Sequence, residues 1–161
     1  MGKTPVLVFT EHPFGKGSLT ANGEQYSTAI SGIDETSTYT AVEAVTIRKP
    51  QHGYILEEIS FSLTGNTLSS STAKDIITVW QISDDNLNWE ALNTEAVGTR
   101  SADASAAADA TVSGVFAPTG NFLGRGDWYY LRMAARAEDG VETVTAKAKS
   151  SSWVKFIYRG Y

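Results

Sequence analysis

His12 and His52 are the only histidines in the 161-residue chain, and there is no cysteine. A Ser-His-Asp triad needs one of these imidazoles beside an activated serine, yet no Gly-x-Ser-x-Gly elbow is present. Each histidine neighbours a turn residue, in His12-Pro13 and His52-Gly53, and reads as a surface-loop imidazole. Without thiolates, two histidines make a poor zinc set. Gly15-Lys16-Gly17-Ser18 has a superficial look of a phosphate loop, but the Lys-[Ser/Thr] pair and the earlier glycine are missing. Asp84, Asn86 and Asn88 match the opening of a calcium loop, and Glu95 falls at its last ligand position. Trp89 stands where the sharp turn demands glycine, however. Asx residues equally serve a strand-to-strand loop by bonding their own backbone. Glu57-Glu58 and Asp84-Asp85 are sequence neighbours, and neighbours on a strand point to opposite faces. Neither pair therefore offers two carboxylates to one substrate. Arg125-Gly126-Asp127 is an integrin-type tripeptide, whose local job is a turn at Gly126 and the end of an exposed loop at Asp127. These residues predict no catalytic set, no metal site and no cofactor.

The bulk numbers point the same way. Charged residues make up 19% and hydrophobic residues 42%, which fits a globular domain rather than a disordered chain. A net charge of −5 argues against a nucleic-acid binder. The charge is uneven: Asp84, Asp85, Glu90, Glu95, Asp103 and Asp109 stand against Arg100 alone, a sum of −5. Lys147, Lys149, Lys155 and Arg159 close the chain with no acid among them, a sum of +4. Solvated surfaces explain this, and so do complementary patches on neighbouring copies. Val6–Phe9 is too short an apolar run for a signal or a membrane span.

The positioning elements are strands. Residues 55–64 alternate, with Ile55, Ile59, Phe61 and Leu63 on one face and Leu56, Glu58, Ser60, Ser62 and Thr64 on the other. Residues 75–83 follow, apolar on both faces as a central strand is. Residues 127–137 set Tyr129, Leu131, Met133 and Ala135 against Trp128, Tyr130 and Arg132. Asp139-Gly140 then predicts a hairpin into 141–148. The last strand, 152–158, sets Val154, Phe156 and Tyr158 against Trp153 and Ile157. Val6–Thr10, Thr38–Ile47 with a bulge near Val42–Val45, and Val112–Phe116 complete about eight strands. The expected fold is an all-β antiparallel sandwich or jelly roll. Residues 1–36 would be a strand plus an arm or long loop, with the sandwich over 37–161. Ser101–Ala110 reads as a flexible loop. Aromatics with interleaved bases crowd the C-terminus, so Trp153, Lys155, Tyr158, Arg159 and Tyr161, with Arg125 and Asp127, are the candidate interface.

Val79–Trp89, with Tyr129-Tyr130-Leu131-Arg132 further on, resembles a pattern of virion-associated and extracellular β-sandwich modules. There a strand ends in Ser-x-Asp, a loop follows, a Trp packs back over it, and a later strand reads Tyr-x-Arg. Ser83, Asp85, Asn88, Trp89, Tyr130 and Arg132 hold the matching positions, although the family's glycine after the Asp is replaced by Asn86 or Leu87. Among those relatives the chain is most similar to the small head decoration (cement) proteins of tailed bacteriophages. The resemblance implies a non-enzymatic virion protein, assembled in the host cytoplasm as a homotrimer that clamps the major capsid protein, without nucleic-acid or membrane partners. A carbohydrate-binding or adhesion module is the alternative, and it predicts at least two coplanar exposed aromatics.

Overall fold

The computed structural model describes residues 5–14, 24–33, 40–41, 44–49, 54–69, 76–93, 96–98, 108–118, 126–137 and 142–160. They form β1 (Val6–Glu11), β2 (Glu24–Ile33), β3 (Thr40–Ala41), β4 (Val45–Arg48), β5 (Ile55–Ser69), β6 (Ile76–Ser83), β7 (Trp89–Ala91), β8 (Ala96–Gly98), β9 (Ala108–Phe116), β10 (Trp128–Ala137), β11 (Glu142–Lys149) and β12 (Trp153–Arg159). Every pairing is antiparallel.

Four pairs of these strands lie end to end. β11 and β12 run consecutively along one side of β5, and β2 and β1 flank them in turn. In the second sheet β3 and β4 share one side of β10, while β7 and β8 share one side of β6. Twelve strands less these four joins leave eight rows. The first sheet reads β1/β2, β11/β12, β5, β9, which are rows one, eight, three and six. The second reads β3/β4, β10, β6, β7/β8, which are rows two, seven, four and five. That interleaving is a jelly roll, as the period-2 pattern predicts.

The core lies between the sheets because the alternation turns one face of each strand inward. Ile59, Phe61 and Leu63 from β5, Trp80 and Ile82 from β6, Tyr129, Leu131 and Met133 from β10, and Val154, Phe156 and Tyr158 from β12 form one buried cluster. Each such side chain contributes about 1.5–3 kcal/mol of burial. Phe14 joins them, its ring tilted against Trp80 at 5.8 Å, and so pins the turn that follows β1.

Several expectations are corrected. Ile157 faces Glu58 whereas Tyr158 faces Leu56, so Glu57 is an extra residue in β5. This bulge reverses the inside-outside parity. Ile55 therefore points outward, and Leu56 packs on the core in its place. The expected hairpin between the strands ending at Ala137 and starting at Glu142 does not form. β10 pairs with β6, β3 and β4, β11 pairs with β5 and β2, and the chain crosses from one sheet to the other. Residues 138–140 lie outside the described residues. Residues 24–33, expected within an arm or long loop, form β2 on the edge of the first sheet, and 108–110 belong to β9 rather than a loop. The phase change predicted near Val42–Val45 is present: between Ala41 and Val45 the chain advances four residues while β10 advances three, from Leu131 to Ala134.

Candidate functional site

The residues of the Ser-x-Asp pattern converge at one end of the second sheet. Ser83 ends β6 and faces Tyr130 on one neighbour and Trp89 on the other. Its hydroxyl donates to Asp85 Oδ1 at 3.0 Å and accepts the Asp85 and Asn86 amides at 3.2 and 2.9 Å. Asp85 Oδ1 also accepts the Leu87 and Asn88 amides at 2.8 and 2.7 Å, and Oδ2 accepts Asn88 Nδ2 at 2.7 Å. These donors, led by the Asn88 amide, hold the Asp85 carboxyl far below the usual carboxylate range. Asn86 takes φ of +62°, the left-handed conformation that glycine adopts most readily and asparagine tolerates. Arg132 then lies 3.8 Å over the Trp89 ring and donates from Nε to Gln81 Oε1 at 2.8 Å. Burial lowers the Arg132 guanidinium. The arrangement is a self-satisfied loop clamp. Its carboxylate is consumed by its own backbone: the Asx role expected of Asp84, Asn86 and Asn88 falls to Asp85, with Asn88 as a donor to it.

Beneath the clamp, Asp84 turns the other way and forms an ion pair with Lys49, both side chains almost wholly shielded. Lys49 Nζ also stands 4.9 Å from the Tyr129 ring. Tyr129 stacks on Phe156 at 4.7 Å and shares a 2.8 Å hydroxyl-hydroxyl hydrogen bond with Tyr158. Burial raises both phenols above their ordinary range.

At the same end, Glu11, His12, Pro13, Thr46, Ile47, Arg48 and Trp128 line a cleft of about 360 Å³. Arg48 lies 6.0 Å from the centre of the Trp128 ring. Among the described residues no group of three or more His, Asp or Glu side chains is placed to hold a metal.

The outer face of the first sheet is a different kind of surface. Val6, Arg159 and Ile55 sit side by side across it, as do Val8, Ile157 and Glu58, and then Thr10, Lys155, Ser60 and Val115. Val6, Val8, Ile55 and Val115 are 53%, 54%, 51% and 63% exposed. Arg159 Nε meets Glu57 Oε1 at 2.6 Å, and Lys155 lies 5.4 Å over Trp153. Further along, Ser113 donates to Ser62 at 3.0 Å and Thr64 pairs with Thr111 at 2.9 Å.

No family model matches the sequence, and no curated protein matches it. Among solved structures, a chain of infectious bursal disease virus, Gt strain, is 9% identical with a TM-score of 0.44, covering 96% of this chain and 36% of that one. A chain of the Gx strain is 8% identical with a TM-score of 0.43, covering 96% and 38%. Eiger TNF from S. frugiperda is 9% identical with a TM-score of 0.37, covering 84% and 93%. The protein thus spans little more than a third of the length of the virus chains.

Of the interface residues expected from sequence, Trp153, Lys155 and Arg159 lie on the outer face of the first sheet. Tyr158 does not: it is buried, because its position in β12 shares the inward parity of Val154 and Phe156. Asp127 is exposed and its carbonyl accepts the Lys49 amide at 2.8 Å, with Gly126 at φ of +71° making the turn before it. Arg125, Tyr161 and His52 lie outside the described residues. Sequence reasoning missed Val6, Val8, Ile55 and Val115 as surface groups. An aliphatic residue on a strand reads as core unless the phase of every neighbour is known. The two coplanar exposed aromatics that the carbohydrate alternative predicts are not found among the described tryptophans: Trp128 is exposed, Trp89 is half-buried beneath Arg132, and Trp153 is half-buried on the opposite sheet.

Proposed function

We propose that the chain is a non-enzymatic virion structural protein that decorates a capsid as a homo-oligomer, a trimer in the reading that the sequence resemblance implies. Its partners would be further copies of itself and the major capsid protein, with assembly in the host cytoplasm. The supporting observation is the outer face of the first sheet, where Val6 and Val8 of β1, Ile55 of β5 and Val115 of β9 are each more than half exposed, on a face they share with Arg159, Glu58, Lys155 and Ser60. Val6 and Val8, two residues apart on β1 with Ile157 beside Val8, form its most apolar part, and exposed aliphatic groups of this kind suit a protein contact. Of its charged groups, Arg159 pairs with Glu57 and Lys155 lies over the Trp153 ring, while Glu58 would need a partner cation or a place at the rim of the contact. The polar groups of the loop clamp, in contrast, are satisfied internally and leave no reactive centre there.

The decisive experiment is mass spectrometry of purified particles produced from the genome that encodes the chain. A structural protein is found at a fixed copy number per capsid subunit. Absence from intact particles, with the free chain monomeric by sedimentation at on the order of tens of micromolar, would overturn the reading.

A further inference from the structure

We propose that the cleft between the end of β1, β4 and the start of β10 binds a sugar ring that carries a carboxylate. The site is separate from the outer face of the first sheet and does not depend on the virion reading. Three observations converge on it. Trp128 is 41% exposed, and its cation, at 6.0 Å, is further off than those over Trp89 at 3.8 Å and Trp153 at 5.4 Å. Its ring is thus the most open tryptophan face among the described residues. Arg48 is the second. Arg132 bonds Gln81 and Arg159 bonds Glu57, but the Arg48 guanidinium has no carboxylate partner among the described residues. A guanidinium so placed offers a two-point fork to a ligand carboxylate. The third is the remaining lining: Glu11 supplies acceptors, His12 and Thr46 supply polar groups able to meet hydroxyls, and buried Ile47 closes the floor.

The cleft, about 360 Å³, lies at the small end of the range for ligand sites. A saccharide ring places its C–H face on the indole, its carboxylate at Arg48 and its hydroxyls at Glu11 and Thr46. A flat aromatic acid would satisfy the first two and leave Glu11 and Thr46 without hydroxyl partners. Phe14, locked against Trp80, holds the 12–14 turn in place, so this wall of the cleft is pre-formed.

Saturation-transfer NMR on the full chain, with glucuronic acid and N-acetylneuraminic acid as ligands, tests the assignment. Saturable binding is expected with a dissociation constant on the order of 0.1–1 mM, as for small single-ring ligands. Glucose should bind about tenfold more weakly, a difference of about 1.4 kcal/mol. Arg48→Gln should bring glucuronic acid down to the level of glucose, and Trp128→Ala should remove both signals. Both substitutions fall on the surface, and an unchanged amide spectrum certifies the fold. The proposal is overturned if neither acid gives a signal at about 20 mM, if Arg48→Gln leaves the preference for the acids intact, or if benzoate or inorganic phosphate displaces the sugar at equal concentration.

Discussion

Lys49 and Asp84 form an ion pair in which the side chains are only 3% and 2% exposed. The pair joins the end of β4 to the residue that follows β6, across the start of β10, which lies between them in the sheet. Taking one partner away leaves the other charged and buried, which costs about 3–5 kcal/mol. Asp84→Ala and Lys49→Met are each expected to lower stability by that amount in urea unfolding. The double variant Lys49→Met/Asp84→Leu replaces the pair by apolar bulk and should recover most of the loss. A single variant as stable as the parent would contradict the burial of the pair.

Tyr129 and Tyr158 give the protein an alkaline limit. Both phenols are held above their ordinary range, first by burial, with Asp84 adding an unfavourable negative charge. On unfolding they ionise near pH 10, so above that pH the unfolded chain binds fewer protons than the folded one. Stability from this pair is fully present below about pH 10 and falls above it, by about 1.4 kcal/mol per pH unit for each phenol that stays protonated in the fold. Absorbance of tyrosinate should show two phenols titrating only with unfolding. The variant Tyr129→Phe should make the slope of stability against pH shallower above pH 10.

The strands that carry the core were legible because their alternation is uninterrupted: Ile59, Phe61 and Leu63 in β5, and Val154, Phe156 and Tyr158 in β12, all point inward. Reading failed where one residue breaks the period. Glu57 shifts the phase and sends Ile55 outward, and no property of Glu57 alone announces that. The Asp139-Gly140 signal failed for a different reason. It is a local preference, while the partners of β10 and β11 are decided by long-range pairing in opposite sheets. The loop clamp was legible through Ser83, Asp85, Asn88, Trp89 and Arg132, since side-chain capping of a turn is a local matter. The cleft was not, because Glu11, Arg48 and Trp128 come from three distant segments.

Two glycines test how tightly the rows are packed. A Cβ at Gly160 would stand 2.7 Å from Pro5 Cγ and 2.8 Å from Tyr54 Cε1, both parts of rings. A Cβ at Gly65 would stand 2.7 Å from Met133 Sδ, near the end of a flexible side chain. Overpacking against rigid groups costs about 1–3 kcal/mol, and a methionine yields more readily. Gly160→Ala is therefore expected to lower the melting temperature more than Gly65→Ala. The reverse order would show that the Pro5 and Tyr54 contacts are loose.

The Asp85 clamp predicts a local effect without a global one. Its carboxyl stays ionised well below the usual carboxylate range, so the hydrogen bonds from the Leu87 and Asn88 amides persist as the pH falls through about 4. Because the folded group is the more acidic, its contribution is present above the unfolded value and is lost only in stronger acid. Hydrogen exchange at Leu87 and Asn88 should remain protected to about pH 3 relative to intrinsic rates. Asp85→Ala should release both amides while the β6 and β10 amides stay protected. Loss of protection throughout the second sheet would mean that the clamp holds the fold rather than the loop.

Assembly through the first sheet makes the last prediction. Val8 stands on the β1 edge row with Ile157 beside it, and Val115 stands on the opposite edge row. If this face is covered by another copy, Val8→Glu inserts an unmatched carboxylate into the contact, whereas in the free chain it merely adds a solvated charge. Sedimentation equilibrium should then find self-association weakened at least about tenfold, or about 1.4 kcal/mol. The melting temperature extrapolated to low concentration should stay unchanged. Leu87→Glu provides the control, since Leu87 is 82% exposed on the loop after β6 and lies away from the first sheet. Equal loss of association in both variants would locate the contact elsewhere, at the loop end of the jelly roll. No loss in Val8→Glu would leave the exposed valines as solvent-facing residues of a monomer.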